Sequence, residues 1–133
     1  MMKQHKIMIV DDSQIVTELT AFLMENIGYE TVKFTNGTDA LDYLDSTENP
    51  YPELIVCDHY LGSRGDIRKN GFRILSKLKQ FGVDIPVVIA SGTNDERVIE
   101  KYYEMGVSDF VSKDTPNYID ELERVVLKTL SKK

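Results

Sequence analysis

The sequence predicts an α/β fold: an open parallel sheet with helices on both faces, in three layers, built from five successive strand–helix units. Three observations predict it. Short apolar runs alternate strictly with longer segments whose apolar residues recur at helical spacing. Glycine, proline and asparagine punctuate the joints. Two of the apolar runs end in aspartate, as a buried strand does when it surfaces at its carboxyl end. Five units are too few for a closed eight-stranded barrel, so the sheet stays open. Ligands of open sheets of this kind sit beyond the carboxyl ends of the strands.

Lys6-Ile7-Met8-Ile9-Val10 is the first strand and delivers Asp11-Asp12. Ser13 suits an N-cap for a helix over 14–27, with Ile15, Leu19, Phe22, Leu23 and Ile27 at helical spacing and Gly28 as its C-cap. Residues 30–34 alternate and are β-rich, giving a second strand. Asn36-Gly37 turns the chain into a helix carrying Ala40, Leu41, Tyr43 and Leu44, which Asn49-Pro50-Tyr51-Pro52 breaks. The third strand, within 53–58, ends in Asp58, and residues 59–70 form a long polar loop. Phe72, Ile74, Leu75 and Leu78 mark the third helix, ended near Gly82. The apolar run 86–90 stops at Ser91-Gly92. Val98, Ile99, Tyr102, Tyr103 and Met105 mark a fourth helix closed by Gly106, with Tyr102 and Tyr103 divided between core and a partner surface. Residues 109–113 are the fifth strand. Thr115-Pro116 reads as an N-cap and first helical position, before Ile119, Leu122, Val125, Val126 and Leu130.

Composition limits the function. At 133 residues, 41% hydrophobic and 29% charged, the chain fits one globular domain, residues 1–133, without an output domain. A net charge of −6 argues against a nucleic-acid surface, and Lys128, Lys132 and Lys133 suit a helix end better than a phosphate backbone. No apolar run approaches the roughly 20 residues that span a bilayer. With no signal-peptide pattern and a single cysteine, the expected location is the cytoplasm, with no membrane partner. Cys57 reads as a small buried hydrophobe.

Asp11, Asp12, Asp58, Ser91 and Lys113 all fall at strand ends, so the fold gathers them at one edge. Crowded carboxylates repel unless a cation neutralises them. A hard divalent ion with oxygen ligands suits them, Mg²⁺ above all where protein ligands are few. Such a site accepts an anion beside the metal, most simply a phosphoryl group. His59 should point away from Asp58, because strand side chains alternate.

Over nearly its whole length the chain resembles the receiver domain of two-component response regulators, on the ordered set Asp11-Asp12, Asp58, Ser91-Gly92, Phe110 and Lys113. The resemblance implies a flavodoxin-like, CheY-like fold with strand order 2-1-3-4-5. It implies that Asp58 accepts the phosphoryl group, and that Asp12 ligates Mg²⁺ directly and Asp11 mainly through water. Asp58 and the backbone carbonyl of Tyr60 would complete the metal's protein ligands. Ser91 would hydrogen-bond a phosphoryl oxygen, Lys113 would pair with its charge, and Phe110 would change rotamer with the state of the site. The implied donor is a sensor histidine kinase or histidine phosphotransfer protein. A downstream protein or output domain, or a second copy, would read the face of the fourth helix, fifth strand and fifth helix. The protein would assist its own phosphorylation and dephosphorylation without conventional turnover.

Four departures from the family pattern stand out. Asp114 replaces the usual proline after the lysine, which puts the expected cis peptide in question; Gly62 replaces a proline after Leu61; and Ser91 replaces the commoner threonine. If Gly71 is the family's loop glycine, the loop is longer by about five residues, and its Arg64, Arg68 and Lys69 border the site as a surface loop or as a modifier of phosphorylation. Tyr60 and Thr93, each two residues past a site residue, are placed to shape water access. Asp114 is the feature that supports a phosphorylation-independent interaction module instead. Tyr60, where aspartyl-phosphate hydrolases usually carry a second aspartate, argues against such an enzyme.

Overall fold

The computed structural model describes residues 6–61 and 71–132. The elements in chain order are β1 (Lys6–Val10), α1 (Gln14–Asn26), β2 (Glu30–Phe34), α2 (Gly37–Asp45), β3 (Leu54–Cys57), α3 (Gly71–Phe81), β4 (Val87–Ser91), α4 (Glu96–Glu104), β5 (Asp109–Ser112) and α5 (Tyr118–Ser131). All four strand pairings are parallel, in the order β2-β1-β3-β4-β5. β1 therefore lies beside β3, with Val10 opposite Cys57, which brings the residues that follow them together.

Strand alternation divides the core in two. Met8, Val10, Ile55, Cys57, Val87 and Ile89 pack with Ala40, Leu44, Ile74, Leu78 and Tyr102, the face covered by α2, α3 and α4. Ile7, Ile9, Leu54, Val56, Val88, Ala90 and Val111 pack with Ala21, Met24, Leu122, Val125 and Val126, the face covered by α1 and α5. β1, β3 and β4 are buried almost along their whole length, as central strands of a doubly covered sheet must be.

The first helix departs from the expectation. Its buried face is Thr17, Thr20, Ala21 and Met24, whereas Ile15, Leu19 and Phe22 are 81%, 43% and 61% exposed. Small side chains let α1 lie close to the sheet, and the Thr17 hydroxyl is satisfied there by donating to the carbonyls of Ser13 and Asp11. Leu23 and Ile27 only flank the core. The fifth helix also starts later than Thr115-Pro116 suggests. Asp114 N–H donates to Ser112 Oγ, Thr115 Oγ1 to Ser112 O and Tyr118 N–H to Thr115 O, a turn that delays α5 to Tyr118. On α4 the two tyrosines do divide: Tyr102 is fully buried and Tyr103 is 48% exposed. β4 begins at Val87 and includes Ser91, and β5 ends before Lys113. No peptide bond among the described residues is cis, that between Lys113 and Asp114 included. The extended loop with Arg64, Arg68 and Lys69 lies outside the described residues. No described helix is long and apolar enough to cross a membrane.

The α1 face is tested by mutation: Met24→Ala should lower the unfolding free energy by about 2–5 kcal/mol, and Ile15→Ser or Phe22→Ser should change it by no more than ~0.5 kcal/mol. Urea unfolding midpoints at constant slope measure both.

Candidate functional site

The site forms where β1 and β3 end side by side. Asp11 N–H donates to the carbonyl of Phe34, and Asp58 N–H to that of Val10, so the ladder pins both aspartates beyond their strands. Asp11 continues the alternation of Ile7 and Ile9, Asp58 that of Leu54 and Val56, and Lys113 that of Val111. All three therefore lean to the α1–α5 side, and there they meet. Lys113 Nζ lies 2.5 Å from Asp11 Oδ2 and 3.0 Å from Asp58 Oδ2. The side chains of Asp11 and Asp58 are only 6% and 8% exposed, so the ammonium neutralises charge that little water can screen.

Local backbone donors complete the arrangement. Ser13 N–H donates to Asp11 Oδ1 at 2.9 Å, while the Ser13 side chain accepts from Val16 N–H and caps α1. His59 N–H donates to Asp58 Oδ1 at 2.6 Å, which leaves Oδ2 turned toward Lys113. Burial holds the Asp11 carboxyl above the usual carboxylate range, against the lowering effect of its Lys113 and Ser13 hydrogen bonds. Burial alone would push the Lys113 ammonium down, but attraction from Asp58 and the hydrogen bond to Asp11 outweigh it and its pKa rises.

Around this pair opens a cleft of about 570 Å³, lined by Asp11, Asp12, Asp58, Tyr60, Thr93 and Lys113 among others. Asp11, Asp12 and Asp58 each offer a carboxylate oxygen, all within 4.8 Å of one another, with Asp12 exposed and the other two buried. The residues fit a hard divalent cation such as Mg²⁺: the donors are all oxygen, one is open to solvent, and an ammonium is already accommodated between the other two.

Ser91 and Phe110 stand on the opposite side of the sheet from the Asp11–Lys113–Asp58 cluster. Ser91 continues the alternation of Val87 and Ile89, is wholly buried, and is not among the residues lining the cleft. Its hydroxyl accepts from Thr93 N–H at 3.4 Å, and its carbonyl from Lys113 N–H at 2.9 Å. Phe110 packs, partly buried, against the α3–α4 core with its ring centroid 6.2 Å from that of Tyr102. His59 also turns away from Asp58, as alternation requires, and lies buried. Tyr60 and Thr93 do line the cleft.

Two contributors were not apparent from the sequence. Asp114 lines the cleft and adds a carboxylate to its rim, which its place after Lys113 could have signalled. Tyr102 Oη lies 2.6 Å from His59 Nδ1, a contact between residues 43 apart that no local pattern announces.

The central ion pair carries a prediction. Lys113→Met leaves two buried carboxylates without their cation and should lower stability by roughly 3–5 kcal/mol in chelator-containing buffer. Adding Asp11→Asn should restore part of it, measured by urea unfolding of both variants.

Comparison with known proteins agrees with this geometry. The family model of the response regulator receiver domain matches residues 7–126. The Regulator of RpoS of Escherichia coli is 31% identical over 108 residues, covering 81% of this chain and 30% of that protein. The CAI-1 autoinducer sensor kinase/phosphatase CqsS of Vibrio cholerae is 26% identical over 110 residues, covering 83% of this chain and 15% of that protein. The chain thus spans less than a third of the length of these curated relatives. A CheY-like response regulator receiver domain protein from Methanospirillum hungatei superimposes with a TM-score of 0.81 at 19% identity, covering 98% of this chain and 96% of that one. With the family model matched from residue 7 to residue 126 and the acidic cluster at the carboxyl edge of a 2-1-3-4-5 sheet, the chain belongs to the response regulator receiver domain family.

Proposed function

We propose that this chain is the phosphoacceptor of a His-to-Asp phosphorelay, with Asp58 as the acceptor. The observation that carries the reading is the convergence of Asp11, Asp12 and Asp58 within 4.8 Å, with Lys113 bridging two of them, in a chain of this family. A carboxylate oxygen of Asp58 attacks the phosphorus of a phosphohistidine on a partner. The new P–O bond forms as the P–N bond breaks, and the imidazole leaves. His59 N–H holds Asp58 Oδ1 while this happens, and Lys113 moves its charge from the carboxylates toward the incoming phosphoryl oxygens. Asp12, Asp58 and the Tyr60 carbonyl would hold Mg²⁺ directly and Asp11 mainly through water; when bound, the ion would supply the charge neutralisation that in-line transfer needs. Ser91 is wholly buried and outside the cleft lining, so its hydroxyl reaches a phosphoryl oxygen only after it moves, and Phe110 moves with it. The protein in this reading assists its own phosphorylation and dephosphorylation and is not a turnover enzyme.

The donor partner is a sensor histidine kinase or histidine phosphotransfer protein. Exposed Ile15, Leu19 and Phe22 on α1 offer it an apolar stripe that starts beside the cleft, since Ser13 both lines the cleft and caps α1. A downstream partner reads the α4–β5–α5 face, where Tyr103, Ile119 and Leu127 are exposed.

Incubation with Mg²⁺ and a small acyl phosphate should add a single phosphoryl group by intact mass, and none in Asp58→Asn or with excess chelator. An unmodified wild-type mass under saturating donor would sink the reading. Replacing Tyr60 and Thr93 together by alanine should change the autodephosphorylation rate several-fold, on the order of 1 kcal/mol in the barrier, followed by loss of the adduct after donor removal.

A further inference from the structure

Beneath the acceptor loop, on the face opposite Lys113, lies a buried polar contact that phosphoryl transfer as described does not use. Tyr102 is fully buried and is the one buried residue that α4 contributes. Its hydroxyl lies 2.6 Å from His59 Nδ1, and the Phe72 backbone N–H at the start of α3 hydrogen-bonds the same oxygen. Which of the Tyr102 hydroxyl and His59 Nδ1 donates in this contact follows the imidazole tautomer. One hydroxyl thus joins three elements: α4, the first turn of α3 and the loop after β3.

The surroundings are shaped to this contact. A Cβ at Gly71 would stand 2.4 Å from Tyr102 Oη and 3.0 Å from the Asp58 carbonyl, so only glycine leaves room for the hydroxyl. Gly71 N–H also donates to the His59 carbonyl at 2.9 Å. The Phe72 ring packs edge-on to His59 and lies 4.2 Å, centroid to centroid, from that of Tyr102. His59 is therefore held on its carbonyl, its ring nitrogen and its ring face. Its remaining polar backbone group is the N–H that donates to Asp58 Oδ1 at 2.6 Å.

We propose that Tyr102 is a positioning residue for the acceptor: its hydroxyl, through His59, aims the His59 N–H at Asp58 and couples the state of Asp58 to the seating of α4. The inference rests on Asp58 being the phosphoacceptor. Any shift of the 58–59 peptide on phosphorylation pulls at the single buried anchor of α4. By reciprocity, loosening that anchor must alter how favourably the site accepts the phosphoryl group. Ser91 and Phe110 lie on the same side of the sheet, so the contact gives α4 a second link to the site, one that starts from the acceptor residue itself.

Tyr102→Phe keeps the ring and removes the link. Phosphorylation by acetyl phosphate with Mg²⁺ should slow about fivefold or more, as a misplaced reacting group does, with the half-saturating donor concentration unchanged. A general loss of packing would not confine the effect to the rate. In wild type, beryllofluoride with Mg²⁺ should move the His59 imidazole ¹⁵N resonances and the amides of residues 96–104, and in Tyr102→Phe the amide shifts should shrink. A wild-type uptake rate in a folded Tyr102→Phe, with the same amide shifts, overturns the inference and leaves the phosphoacceptor reading standing. If the variant does not fold, the wild-type spectra decide: His59 nitrogens indifferent to beryllofluoride overturn the inference. Failure of the wild type to accept a phosphoryl group removes both.

Discussion

The Asp11–Lys113–Asp58 contact is the constraint on which the rest of the structure turns. Parallel pairing of β1 with β3 places Val10 opposite Cys57, so the residues after them cannot avoid each other. Two carboxylates that are 6% and 8% exposed would repel at that spacing, and an opposite charge at about 3 Å attracts by roughly 5 kcal/mol even at an effective dielectric of 20. Lys113 supplies that charge from the end of β5, two strands from β3 and three from β1. The cost of assembling the cluster explains why it is braced on every side by backbone donors, from Ser13, His59 and the β ladder.

Strand alternation then divides the labour of the site between two faces. Asp11, Asp58 and Lys113 lean toward α1 and α5, where they line the acidic cleft. Ser91, Phe110 and His59 lean toward α3 and α4, in a buried aromatic and hydroxyl layer. Under the proposed function, a change at Asp58 reaches that layer because neighbouring residues of one strand end point to opposite faces. Position 58 faces the cleft, and position 59 faces α3 and α4.

The exposed stripe on α1 belongs to the same logic. Helical spacing alone presents Ile15, Leu19 and Phe22 as the natural core face of that helix. The sheet selects instead the face of Thr17, Thr20, Ala21 and Met24, where the first three side chains are small, the Thr17 hydroxyl bonds its own segment, and Met24 fills the core. The apolar residues left outside run along the helix that Ser13, a residue of the cleft, caps.

Alternation of strands and helices, the parallel sheet and the aspartates at the strand ends could all be read along the chain, because each rests on local periodicity or on residues adjacent to an apolar run. The strand order and the residue roles came from the resemblance of the ordered set Asp11-Asp12, Asp58, Ser91, Phe110 and Lys113, which matched strand ends without showing who touches whom. Only the tertiary structure decided which face of α1 is buried, that Asp114 joins the cleft rim, and that Tyr102 reaches His59. These depend on distances between segments far apart in sequence, and on which side chains let two elements approach. Periodicity records that a residue is apolar, and packing determines what it is apolar for.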